Sequence, residues 1–137
     1  MAETIRLIDY YYIQAPDKPG EGVKILRQLK EAGVNLDAFS GFPEGRRAQL
    51  DFIPSDPAAF KAVAKKAKWK VVGPKKGFMI QDEDRAGAMA DLLEKLAAAK
   101  INVTASEAIC AGGGRFGGLL WVKPRDVKRA AKLLGIA

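Results

Sequence analysis

Two short turns carry the residue types best suited to binding a small ligand. Each follows a strand-like run and precedes a helix-like run in the sequence. Glycine lets the backbone approach a bound group closely, and the first N–H groups of a helix lack acceptors inside it. An aspartate in the same turn can accept hydrogen bonds from an ammonium group. The turns therefore suit a zwitterion, and their residues are Asp17, Lys18, Pro19, Gly20, Glu21 and Gly22, then Asp84, Arg85, Ala86 and Gly87.

Asparagine begins the second predicted strand of each half of the chain. Asn35 is followed by Leu36, and Asn102 is followed by Val103. An asparagine side chain offers both a donor and an acceptor, so both positions are candidates for ligand contact. The structural alternative is that Asp17 caps the following helix and that both asparagines only fix turn geometry.

The composition argues against catalysis. The chain contains no histidine and one cysteine, Cys110, so the commonest general base and a zinc-ligand set are missing. The carboxylates form no convincing pair or metal cluster. The glycine-rich segment 111–118 lacks the Gly-Lys-Ser/Thr ending and the following helix of a phosphate loop, which favours a flexible hairpin. The sequence therefore predicts a non-enzymatic protein without a cofactor or metal.

The bulk properties predict a cytoplasmic globular protein. Of the 137 residues, 48% are hydrophobic and 28% charged, and no apolar run approaches the roughly 18 residues of a membrane span. No signal peptide is recognisable, and a single cysteine fits a reducing compartment. The net charge is +7, and residues 61–76 contain seven lysines and no acid. Such a run is more often a solvated helix face than a nucleic-acid site, but nucleic-acid binding remains the alternative function.

Hydrophobic periodicity predicts an internal duplication. Residues 1–73 read β-α-β-β-α-β, with the last strand ending at Gly73-Pro74, and residues 74–137 repeat the order without the last strand. At an offset of 67 residues, Asp17 matches Asp84, Gly20 matches Gly87 and Asn35 matches Asn102. We expect two domains, 1–73 and 74–137, of α+β class. Residues 3–8 could supply the missing strand.

These features together resemble the ACT domain family. The pattern of Asp-Lys-Pro-Gly at residues 17–20 followed by Gly-Val-Asn-Leu at residues 33–36 is close to the family's motif. Asp-Arg-Ala-Gly at residues 84–87 with Ile-Asn-Val at residues 101–103 is a looser match, because alanine replaces Pro19 and Met89 replaces Gly22. The resemblance covers nearly the whole chain.

The resemblance implies two tandem ferredoxin-like units, each with helices on one face of an antiparallel sheet. It also implies a regulatory module that binds an amino acid between neighbouring domains, a homodimer paired through second strands, and a regulated protein partner. One site would combine residues 17–20 with Asn102, and the other would combine residues 84–87 with Asn35. The nucleic-acid alternative is disfavoured because the third predicted strands lack the paired aromatic residues of RNA-recognition motifs.

Overall fold

The computed structural model describes residues 4–136, which form an α+β fold. The strands are β1 (Thr4–Pro16), β2 (Leu36–Glu44), β3 (Arg47–Pro54), β4 (Val72–Glu83), β5 (Val103–Gly112) and β6 (Arg115–Val122). The helices are α1 (Glu21–Glu31), α2 (Pro57–Ala67), α3 (Ala88–Ala98) and α4 (Val127–Leu133), with a 3-10 turn at Pro124–Asp126. None of the helices in this range is long and apolar enough to cross a membrane.

The residues divide into two compact units. The first unit is Asp9–Lys75, and the second unit combines residues 4–8 with residues 76–136. Whether each part folds by itself as a domain, with the boundaries 1–73 and 74–137, stays a prediction.

The first unit encloses its own hydrophobic core. Its strand order is β2-β3-β1-β4, and β3 pairs antiparallel with both β1 and β2. The aromatic rings of Tyr11, Phe52 and Phe60 are fully buried and pack against one another. Asp56 followed by Pro57 is a sequence typical of a helix start, and α2 does begin there: the Asp56 carboxylate accepts hydrogen bonds from two backbone N–H groups of the first turn.

The second unit has a separate core beneath α3 and α4. Its strand order is β1-β4-β6-β5, and β6 pairs antiparallel with β4 and β5. Residues 4–8 of β1 belong to this unit, and the side chain of Ile5 packs against its core. These residues fill the place for which the repeat in the sequence has no strand. Residue 3 lies outside the described range.

One predicted boundary is wrong. The sequence suggests that a short strand ends at Gly73-Pro74 and that a new one begins at Phe78, but β4 runs without interruption from Val72 to Glu83. Gly73 has a φ of 130°, and a Cβ there would lie 2.8 Å from the carbonyl oxygen of Tyr10. The pair therefore marks a close approach of two strands rather than the end of one.

Candidate functional site

Both candidate turns lead into helices whose first N–H groups have no side-chain acceptor. Gly20 and Gly87 are the N-caps of α1 and α3, and both have left-handed backbone with φ of 91° and 83°. Glycine adopts this conformation without steric penalty. Within the described chain, the backbone N–H groups of Gly22 and Val23 at the start of α1 have no hydrogen-bond acceptor. Asp17 does not cap the helix, so the structural alternative for this residue is wrong.

The first turn uses its charged side chains locally. The Glu21 carboxylate lies 3.1 Å from the Lys24 ammonium group and 3.8 Å from that of Lys18. Residues 17–20 are all exposed. The Asp17 carboxylate is therefore accessible, whereas Glu21 is engaged in ion pairs.

Each asparagine lies at the end of its unit opposite to that unit's own turn. In the first unit, Pro16 and Glu44 both lie across from Arg47, whereas Leu36 lies across from Pro54. The nine residues of β2 span roughly 25 to 30 Å at about 3.4 Å per residue. Neither unit therefore brings its own turn and its own asparagine together.

The two asparagines differ in their contacts. The Asn35 side chain donates a hydrogen bond to the Ser55 hydroxyl at 3.3 Å, and its carbonyl oxygen accepts one from the Ser55 N–H at 3.0 Å. The Asn35 side chain is thus held by Ser55 in the structure described. Asn102 is exposed, and its side chain makes no hydrogen bond to the described residues.

The second turn borders a groove of about 280 Å³. The groove lies between the start of α3 and the end of β5 within the second unit. Its lining residues are Asp84, Arg85, Gly87, Ala88, Met89, Ala90, Ala108, Ile109, Cys110 and Phe116. Its volume is just below the range of roughly 300 to 1,000 Å³ found for drug-sized ligands, so it suits a smaller molecule.

The groove combines groups of opposite charge. The Arg85 guanidinium lies 2.8 Å from the Asp91 carboxylate, and both side chains are about half exposed. The N–H groups of Met89 and Ala90 have no acceptor in the described chain. The side chains of Ile109 and Phe116 form the apolar part of the wall. A cation, a carboxylate and the positive end of a helix dipole thus lie beside an apolar surface.

Cys110 belongs to this groove and is not part of the core. A lone cysteine without a histidine partner is by default a small core residue, but the side chain of Cys110 is exposed. A hydrogen bond between the Cys110 thiol and the Asp84 carboxylate raises the pKa of the thiol above its usual value. The thiol is therefore held in its protonated form, in which it donates to the carboxylate. A raised pKa makes the thiol a poor nucleophile at neutral pH.

The groove brings together Asp84, Arg85 and Gly87 of the predicted turn, but its opposite wall differs from the expected partner. The residues of β5 in this wall are Ala108, Ile109 and Cys110, at the end of the strand, whereas the residue expected to complete the turn at 84–87 is Asn35 of a neighbouring domain. No local pattern marks this wall, because β5 is exposed along almost its whole length and its burial does not alternate. The register of Gly112 opposite Arg115 brings that end of β5 to the level of the turn. Ala86 belongs to the same turn but does not line the groove.

Two other chemistries find little support in the described residues. Residues 4–136 contain no cluster of three potential metal ligands. The aromatic residues of the third strand of each unit are Phe52, Phe116 and Trp121, of which the two phenylalanines are buried in the cores and Trp121 is half-buried. They do not form the exposed stacking surface on which RNA-recognition motifs bind bases.

The chain matches no family model and no curated protein. Solved structures resemble it over nearly its whole length. A protein from Bacteroides thetaiotaomicron is 18% identical, with a TM-score of 0.82 over 95% of this chain and 88% of that one. The regulatory subunit of aspartate kinase from Thermus flavus is 17% identical, with a TM-score of 0.61 over 98% of this chain and 95% of that one. The same subunit from Thermus thermophilus is 15% identical, with a TM-score of 0.64 over the same shares of the two chains.

These likenesses concern the fold, since all the identities are below 20%. The two aspartate kinase chains are regulatory and not catalytic parts of that enzyme. The resemblance drawn from the two turns and their asparagines is confirmed at this level: this chain has the fold of the ACT-domain regulatory subunits of aspartate kinase.

Proposed function

We propose that this protein is a non-enzymatic regulatory module that binds an amino acid or a similar small zwitterion. The observation that carries the proposal is the groove of the second unit, where Asp84, Arg85 and the start of α3 meet an apolar wall. Regulatory subunits with the same fold support the assignment to regulation.

The groove provides a partner for each part of an amino acid. The ligand carboxylate would accept hydrogen bonds from the N–H groups of Met89 and Ala90 and from the Arg85 guanidinium. The ligand ammonium group would donate to the Asp84 carboxylate. An aliphatic side chain would pack against Ile109 and Phe116. This arrangement favours an amino acid with an apolar side chain of moderate size over an acidic one.

The role of the asparagines and the tandem arrangement of two ferredoxin-like ACT units belong to the same proposal. Each turn would be completed by an asparagine at the second strand of a neighbouring domain, Asn102 for residues 17–20 and Asn35 for residues 84–87. Within each unit, β2 and β5 end the strand order, and they expose Phe39, Phe42 and Ile109. These exposed apolar residues support a homodimer paired through these strands.

A thermal-shift screen of the twenty amino acids, followed by calorimetry, tests the proposal. We expect at least one amino acid to raise Tm at millimolar concentration. Asp84→Asn should weaken its binding about ten- to a hundredfold, because a hydrogen bond to a charged group contributes about 1.5–3 kcal/mol. The matched control is Glu94→Gln, which makes the same charge change on α3 at an exposed residue outside the groove.

The variants separate the possible outcomes. Loss of binding in Asp84→Asn with unchanged binding in Glu94→Gln supports the groove as the site. Equal affinity in all three proteins would remove Asp84 from the site. The absence of any thermal shift with every amino acid at millimolar concentration would contradict amino-acid binding itself.

A further inference from the structure

A second cavity, of about 380 Å³, lies within the first unit beside the end of α2. Its lining residues are Tyr11, Phe60, Lys61, Ala64, Lys65, Lys68, Trp69, Val71 and Gly73. Neither candidate turn contributes to it, so it is separate from the groove described above. Its residues divide into an aromatic and aliphatic floor and three lysines.

The floor is built from stacked rings. The centroids of Tyr11 and Phe60 are 5.0 Å apart in a stacked arrangement, and those of Phe60 and Trp69 are 6.3 Å apart at 49°. Trp69 is the partly exposed member of this group. A planar apolar ring entering the cavity would extend this stack through Trp69.

Trp69 is the ring of this group that a ligand can reach. Tyr11 is only 1% exposed and Phe60 is fully buried, and the Tyr11 hydroxyl has no accessible surface and no hydrogen-bond partner among the described residues. A ligand in the cavity therefore contacts the partly exposed Trp69, which packs on the buried rings.

The three lysines make the cavity electropositive. Lys61, Lys65 and Lys68 are exposed and form no ion pair with a described residue. No aspartate or glutamate occurs between residues 57 and 81. Lys68 also has left-handed backbone, with φ of 59°, at a position where glycine is the usual residue. The helix therefore ends in a mildly strained conformation that retains a lysine side chain at the cavity.

We propose that this cavity binds a small aromatic anion, a single ring system bearing a carboxylate or a phosphate. The ring packs against Trp69, and the lysines neutralise the charge. The cavity volume falls within the range of small-molecule sites and admits one such ring system.

Trp69 reports on binding directly. The chain has two tryptophans, and Trp121→Phe, a change in the second unit, leaves Trp69 as the single tryptophan. In this background, titration with phenyl phosphate and with phenylacetate, neither of which contains an indole ring, should change the fluorescence of Trp69 saturably. Benzyl alcohol, a neutral aromatic probe, should bind at least fivefold more weakly. High salt should weaken the two anions but not the alcohol.

Two pairs of substitutions identify the contacts. The double variant Lys61→Met/Lys65→Met should weaken phenyl phosphate at least fivefold. The control Lys66→Met/Lys70→Met removes the same charge from neighbouring residues outside the cavity and should change affinity less than twofold. Tyr11→Phe removes only the inaccessible hydroxyl and should change the affinity for phenyl phosphate less than twofold.

Several results would overturn the proposal. A linear, unsaturable response to both anions would exclude a site, and equal affinity for benzyl alcohol would exclude the role of the lysines. Equal losses in the two lysine double variants would indicate general charge attraction only. Tighter binding of an RNA oligonucleotide, abolished equally by both double variants, would assign the surface to nucleic acid. Because the amino-acid titration concerns the second unit, either proposal can fail while the other stands.

Discussion

The ion pair between Arg85 and Asp91 gives a prediction opposite to the usual effect of removing a charged residue. Asp91 competes with an incoming carboxylate for the Arg85 guanidinium, at a distance of 2.8 Å. With both side chains about half exposed, this pair contributes only about 0.2–1 kcal/mol. Asp91→Asn should therefore release Arg85 and tighten amino-acid binding by up to about fivefold.

Calorimetry at low salt measures this gain most clearly, because added salt screens exposed charges. The free energy of unfolding should fall by less than about 1 kcal/mol, since the pair is weak and Asp91 also interacts with the start of the helix. A suitable control is Arg85→Gln, which should weaken binding by removing the same cation. Weaker binding in Asp91→Asn would refute the reasoning, as it would show that the pair holds Arg85 in its binding geometry.

Two further predictions concern stability and the Cys110 thiol. Gly22→Ala should stabilise the protein by about 0.5–1 kcal/mol in urea denaturation, because Gly22 lies in α1 and a Cβ there would meet open space. Gly73→Ala should destabilise it by more than about 2 kcal/mol, because the Cβ would clash with the Tyr10 carbonyl. Similar changes in the free energy of unfolding for both variants would contradict the packing described. Asp84 raises the pKa of the Cys110 thiol, so the rate of its reaction with iodoacetamide, plotted against pH, should have its midpoint above the usual value of roughly 8.5. Asp84→Asn should lower that midpoint. An unchanged midpoint would exclude the hydrogen bond.

The elements were predictable because the signals for them are local. Asp56-Pro57 starts α2 and the apolar stripe of Val23 to Ala32 indicates α1, both close to the observed bounds. The repeat at 67 residues aligned the two turns, and the fold shared with regulatory subunits agrees with the family that they indicated. These features depend on spacing and on backbone preference, which a single sequence contains.

The wall of the groove and the course of β4 depend on pairing between distant segments. Nothing near Cys110 indicates that Asp84 lies beside it, because this contact follows from the register of β5, β6 and β4. Similarly, Gly73-Pro74 has the composition of a turn, and only the neighbouring Tyr10 shows why a glycine is needed within a strand. Long-range register is not encoded in local composition, so these features required the structure.

The central claim is that the start of α3 binds the carboxylate of an amino acid. Two-dimensional ¹⁵N NMR of the full chain, titrated with the amino acid that gives the largest thermal shift, tests this claim most directly. Because the N–H groups of Met89 and Ala90 lack acceptors in the described chain, their amide signals should move downfield most strongly and saturate together with those of Gly87 and Ile109. Saturable shifts confined to other residues, with these four signals unmoved, would contradict the claim.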